Sequence, residues 1–352
     1  MKFVQNVRTE GTIILDMKDK RILAVLGRDA RTPLSRIAKQ TRLSRDAVSR
    51  RIKLFEENGL IQGYNTVINI KKFGFDNFHV FLQFNKPPIA EEEKIVQTIK
   101  SLPYVRALIK CTGKYDFEVA LIARSFDDLE KIMQKLAQAC SPYLEEKEIL
   151  VVTKTYKTSS FPPNFLLEKE QLKQAAQEEL YELDSQDYAI LRQLASNARM
   201  PLRSMAKQVH LSPDAVNYRL KKMVSSHYIV AFIPAINYDL FNYQVYVVLM
   251  NIKIINDKEE ATLKEFLKTD KNILWAGRTL GRYSTIFYIG TPKPSGVHET
   301  IENIRRLFAG SIKEYEVLIA YEEYAYNYVP EVVFQLLGKK LDQSRQTIQR
   351  QS

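Results

Sequence analysis

Apolar positions in this chain change period along its length. Between residues 15 and 64 they fall at helical spacing: Ile22, Leu23 and Leu26 follow Asp16 and Asp19 and predict a first helix. Leu34, Ile37 and Ala38 share one face of a short second helix that Pro33 opens, with Arg36 and Lys39 on the other face. A Thr41-Arg42-Leu43 turn then leads to Ser44, whose hydroxyl can accept an orphan backbone N–H and start a third helix. Val48, Ile52 and Phe55 mark the buried face of that third helix. Short helix, tight turn and longer helix together predict a helix-turn-helix. Past residue 66 the pattern changes: residues 78–84 read as a strand, 91–102 as an amphipathic helix, and 105–111 with 117–123 as a hairpin. A helix over 126–139 and a strand over 149–156 follow. The order βαββαβ predicts a four-stranded antiparallel sheet with helices on one face, so its other, apolar face should bury against another copy.

Laying Leu183 on Leu15 and reading both stretches forward repeats the whole pattern. Leu15, Asp16, Ile22, Ala30, Arg31 and Pro33 match Leu183, Asp184, Ile190, Ala198, Arg199 and Pro201 without a gap. So do Ala38, Lys39, Gln40, Leu43, Ser44, Asp46, Val48 and Arg51 with Ala206, Lys207, Gln208, Leu211, Ser212, Asp214, Val216 and Arg219. The second α/β module carries strands near 245–252, 273–279, 286–289 and 315–324, with helices near 261–267 and 297–308. The expected fold class is therefore α+β, a tandem repeat of a (winged) helix-turn-helix and a ferredoxin-like βαββαβ sandwich module. The expected division is helix-turn-helix 1–66, module 67–158, linker and connecting helix 159–182, helix-turn-helix 183–234, module 235–330 and polar tail 331–352. Pro162 and Pro163 mark the boundary between copies, because neither continues a helix nor pairs in a central strand.

Charge sharpens the reading. The net charge is +11, and residues 15–64 hold twelve Lys/Arg against six Asp/Glu, while residues 183–232 hold seven against three. Ten of the eleven excess positive charges thus lie in the helix-turn-helix segments, where a polyanion would dock. The outward face of the third helix carries Arg45, Ser49, Arg50 and Lys53; its counterpart carries Asn217, Tyr218 and Lys221. Guanidinium, amide and hydroxyl groups are what base edges and phosphates in a major groove accept. With Arg31, Arg36, Ser44, Arg199 and Ser212 these form the expected DNA contacts. Arg51 and Arg219, between the buried and exposed faces, read as structural or phosphate-clamping rather than base-reading. The four histidines have no metal spacing, and no nucleophile elbow or phosphate-binding loop is present, so no catalytic residue, metal or cofactor is expected. Cys111 and Cys140 lack paired spacing and read as reduced, buried thiols. No apolar run reaches the length of a membrane span and no secretory signal opens the chain, so a cytoplasmic protein is expected.

The run L-D-x-x-D-x-x-I-L, A-R-x-P-L, A-K-Q, L-S-x-D-A-V, followed by a βαββαβ module with G-x-Y after its second strand, resembles the Lrp/AsnC ("feast/famine") family. The resemblance covers about residues 14–158 and 182–330. It implies a sequence-specific transcriptional regulator that associates through its sheet faces and responds to small effectors, often amino acids. It also implies that the turn after the second strand borders the effector pocket, here Gly113, Tyr115 and Asp116, and Gly281 and Tyr283, with Ser284 in place of the acid. Family members usually carry one copy per chain, so two fused copies imply an intrachain imitation of a dimer that can still form homo-oligomers. Siroheme decarboxylases are similar to the same family, and some are two-copy fusions. Their histidine-containing stretch on the second strand has no histidine here, in VRALIKCTGKYDF or ILWAGRTLGRYST. An architectural protein that binds DNA broadly is the third reading.

Overall fold

The computed structural model of this chain describes residues 13–166, 180–253 and 256–335. Each half opens with three helices whose ends are set by the residues at their boundaries. The first half has α1 (Met17–Arg28), α2 (Leu34–Thr41) and α3 (Arg45–Glu57). Asp16 and Asp19 form a reciprocal box at the start of α1, each carboxylate accepting from the other's N–H at 2.7 and 3.0 Å. Arg42, in the left-handed conformation at φ 54°, ends α2, and the Ser44 hydroxyl accepts the Ala47 N–H at 3.1 Å to start α3. The half continues with β1 (Ile61–Ile68), β2 (Asp76–Phe84), α4 (Ile89–Ser101), β3 (Val105–Thr112), β4 (Phe117–Ala123), α5 (Phe126–Cys140), β5 (Leu144–Thr158) and the single turn α6 (Pro163–Leu166). The second half repeats the order with α7 (Ser185–Ser196), α8 (Leu202–Val209), α9 (Pro213–Ser225), β6 (Ile229–Ile236), β7 (Gln244–Ile252), α10 (Asp257–Thr269), β8 (Ile273–Leu280), β9 (Thr285–Thr291), α11 (Pro294–Leu307) and β10 (Ile312–Tyr326).

The two sheets close on one another. Strands run β3-β4-β2-β5 in the first copy and β8-β9-β7-β10 in the second; β5 pairs with β8 and β10 with β3, giving a closed eight-stranded barrel. Val151 lies opposite Leu280 at one seam and Ile319 opposite Thr112 at the other, so the repeat carries each seam onto the other. An eight-stranded barrel has an interior that side chains alone can fill. Phe81, Tyr115, Leu150, Tyr283 and Leu318 do so here, all of them fully buried. The apolar face that the strand pattern leaves bare thus finds its cover within the same chain.

Four departures from the sequence reading have physical causes. Strands β1 and β6 lie outside the elements the pattern predicts, since Gly63 and Pro234 are residues that strand interiors disfavour and β6 is apolar without alternation; they pair antiparallel between the two helix-turn-helix units. Strands β5 and β10 are each fifteen residues long, but β5 opens with exposed Glu145, Glu146 and Lys147, so its apolar signal starts late. The start of the expected linker is packed into the core: Phe161 and Phe165 are buried, and Phe165 packs on Phe241 with ring centroids 4.6 Å apart. The expected tail likewise begins packed, with Val333 and Phe334 buried; its remainder after residue 335 lies outside the described residues. Most of the expected connecting helix, residues 167–179, also lies outside them, and residues 180–184 lead into α7 without regular structure.

Candidate nucleic-acid interface

Helices α3 and α9 are held on their supports by matched ion pairs. Arg51 donates to Asp16 at 2.8 Å and to Asp19 at 2.5 Å; Arg219 donates to Asp184 at 2.8 Å and to Asp187 at 3.0 Å. Both arginines thus tie the third helix to the cap of the first, and a structural role accounts for them. Burial works against ionisation of Asp16, yet the Asp19 amide and the Arg51 guanidinium hold its carboxyl below the usual range. Asp184 is lowered in the same way by the Asp187 amide and Arg219, against burial. A carboxyl lowered on folding contributes stability that is complete above its unfolded value and is lost as pH falls through its folded value. Both units should therefore lose stability progressively below about pH 4. Arg51→Met is expected to cost ~1–2 kcal/mol at neutral pH and to flatten that acid limb, as read by urea melts from pH 7 to 3.

The opposite faces point outward. Arg45, Ser49, Arg50 and Lys53 are exposed on α3, Tyr218 and Lys221 on α9, and Asn217 is half-exposed. Ser44 and Ser212 are spent as helix caps, Ser212 accepting the Ala215 N–H at 3.1 Å, while their outer edges stay exposed. Arg36 is exposed on α2. The faces share a frame but not a chemistry, two guanidinium groups standing on α3 where α9 offers an amide and a phenol.

Arg31 and Arg199 do not belong to that face, which corrects the expectation for them. Arg31 crosses to the other helix-turn-helix unit and donates to the carbonyls of Ala198 at 2.6 Å and Met200 at 3.1 Å, its guanidinium lying 5.6 Å from the Phe232 ring centre. Arg199 lies over Tyr64, 5.3 Å from the ring centre. Backbone bonds complete the junction: Ala30 N–H to Phe232 O at 2.8 Å, and Ala198 N–H to Tyr64 O at 3.0 Å. Strand β1 pairs with β6 about Asn65 and Ile233, which occupy the same position of the two copies, so a local two-fold passes between them. The supports of α3 and α9 are thereby joined to each other within one chain. Nothing in the A-R-x-P spacing distinguishes an arginine aimed at phosphate from one aimed at a neighbour's carbonyls.

The turns expected to border an effector are built into the barrel seams. Gly113 and Gly281 hold φ of 136° and 141°, and each lies against the long strand of the other copy, at Leu318 and Leu150. Tyr115 and Tyr283 are fully buried in the barrel. The Asp116 carboxylate accepts the Phe84 N–H at 2.7 Å, and Ser284 takes the same place by accepting the Ile252 N–H at 2.8 Å. The exchange of acid for hydroxyl therefore preserves a backbone contact. Cys111 and Cys140 are buried, and burial pushes the Cys140 thiol up to about 12. Among the described residues no cluster of His, Cys, Asp and Glu is arranged to hold a metal, and no helix is long and apolar enough to cross a membrane.

Comparison with known proteins agrees with this architecture. The AsnC-type helix-turn-helix domain matches residues 15–56 and 183–224. The chain is 35% identical over 120 residues to the HTH-type transcriptional regulator LrpA of Pyrococcus horikoshii, which covers 34% of this chain and 84% of that protein. It is 29% identical over 152 residues to the HTH-type transcriptional regulator Ptr1 of Methanocaldococcus jannaschii, covering 43% of this chain and 99% of that one. Among solved structures, the siroheme decarboxylase NirDL aligns over 92% of this chain and 99% of its own, with a TM-score of 0.58 and 13% identity. That likeness is one of fold.

Proposed function

Because this chain belongs to the Lrp/AsnC family of helix-turn-helix transcriptional regulators, we propose that a single chain uses both of its recognition helices on one DNA duplex as a built-in pseudo-dimer. The observation that carries this reading is the junction of β1 with β6 and of Arg31 with the carbonyls of Ala198 and Met200, which locks the two units together. A two-fold pair of helices reads two half-sites, and here the halves differ. Arg45 and Arg50 suit guanine edges and phosphates; Asn217 suits adenine, and Tyr218 adds a hydroxyl and an apolar ring. The preferred site is therefore an imperfect palindrome, with the first unit contributing more affinity. Arg50→Ala should weaken binding to a selected site more than Tyr218→Ala, measured by fluorescence anisotropy; the reverse order would assign the dominant half-site to the second unit.

Regulation in this reading comes from a small effector such as an amino acid, acting at the seams of the barrel where the Gly113 and Gly281 turns meet the other copy. A thermal-shift screen of free amino acids against the DNA-free protein tests it. The reading is non-enzymatic: titration with siroheme should produce no Soret shift and no carbon dioxide. Carbon dioxide release would transfer the barrel to catalysis, whereas a Soret shift alone would show that the protein binds the tetrapyrrole.

A further inference from the structure

The barrel interior breaks the symmetry that the rest of the chain keeps. On one side His79 of the first copy lies with Nδ1 2.5 Å from Oε1 of Glu118, whose side chain is wholly buried. The second copy completes the group. Tyr288 donates its hydroxyl to the same Glu118 oxygen, and Trp275 stacks on the imidazole with ring centroids 5.7 Å apart. Asn77 stands 3.3 Å from Nε2 of His79 and accepts from Arg106 at 2.9 Å. The equivalent positions of the repeat form the other side of the barrel, where Val247 and Ile286 of the second copy meet Ala107 and Ala120 of the first, all buried. One side is polar and bulky on both copies; the other is apolar, with small residues facing branched ones.

We propose that this one-sided cluster is a pairing key that makes the first sheet accept the second copy and refuse another first copy. Backbone pairing at the seams cannot choose, since the two registers are equivalent and Gly113 on Leu318 mirrors Gly281 on Leu150, although the seam side chains differ, with Lys154 opposite Arg278 and Glu322 opposite Lys110. The interior can. Two first copies would face each His79–Glu118 pair with Ala107 and Ala120, leaving a buried carboxylate without its phenol donor and a void where the indole belongs. Two second copies would press Trp275 and Tyr288 onto Val247 and Ile286, burying a phenol without an acceptor. Only the mixed pair brings the phenol to the carboxylate and the indole to the imidazole. A buried polar group that weakens the wrong assembly more than the right one sets partner choice. A chain with two half-barrels needs such a choice, because like-with-like pairing between chains would link them into open assemblies.

The test uses the full chain with a protease site introduced within residues 170–178, cut after folding. The halves are then exchanged in mild denaturant and read by native mass spectrometry. The cut parent protein should return only complexes of one N-terminal and one C-terminal half. The fourfold variant His79→Val, Glu118→Ile, Trp275→Ala and Tyr288→Ala copies the apolar side onto the polar one, and like pairs should rise to roughly half of all complexes. Abundant like pairs in the parent, or a fourfold variant that stays strictly mixed, would overturn the proposal. Should the fourfold variant not fold, Glu118→Gln with Tyr288→Phe keeps the side-chain shapes and breaks only the hydrogen bond. Like pairs at about a tenth of complexes or more are then expected, and their complete absence contradicts the key.

Discussion

Replacing Arg45 and Arg50 together by alanine is expected to weaken duplex binding by ~100-fold at moderate salt and to reduce the slope of log affinity against log salt by about 2. Both side chains are exposed on the outer face of α3, whose apolar face is anchored by Val48, Ile52 and Phe55. Neither takes part in the ion pairs that tie α3 to α1, which Arg51 makes. Their removal should therefore leave the thermal midpoint nearly unchanged while cutting affinity, which separates a lost contact from a lost fold. The size follows from two charge-assisted contacts worth ~1–3 kcal/mol each at base edges, or somewhat less at phosphates. An affinity loss below threefold with an unchanged salt slope would mean that α3 does not face the duplex.

Gly281→Ala is expected to destabilise the protein by ~3–5 kcal/mol, a large share of the roughly 5–15 kcal/mol that ordinary domains possess. Two costs coincide at this turn. The backbone holds φ 141°, where a side chain is strained, and an added Cβ would lie 2.6 Å from Cδ2 of Leu150 and 2.8 Å from the carbonyl oxygen of Ile149. The leucine can rotate away, but the carbonyl belongs to β5, which is paired on both sides by β2 and β8. The seam must open instead. Gly113→Ala meets Leu318 at 2.9 Å and the carbonyl of Val317 at 3.1 Å, so its cost should be smaller. Denaturant melts of both variants check the order. Equal midpoints for Gly281→Ala and the parent would show that the turns do not carry the seam.

Much of this was legible in the sequence because local chemistry specified it. Asp16, Pro33 and Ser44 announce the helix starts, and their return as Asp184, Pro201 and Ser212 makes the duplication plain. The strand pattern also shows that one sheet face lacks a cover. It does not say which sheet covers it, since residues of either copy present the same alternation. Closure of the barrel, and the inward turn of Arg31 and Arg199, depend on where the second copy sits, and no local spacing encodes that. His79 was unreadable for the same reason. Its partner on the neighbouring strand, Glu118, lies 39 residues away, and Tyr288, which completes the group, comes from the other copy.

In the proposed binding mode one chain holds two recognition helices in fixed register and applies both to one duplex. Hydroxyl-radical footprinting of the intact chain on a selected DNA, at a chain-to-DNA ratio fixed by mass measurement, tests it most directly. A single chain should protect two patches on one face of the duplex, one helical turn (~10 base pairs) apart, with the patch under α3 the stronger. A single patch per chain, or protection that appears only when two chains are bound, would contradict it.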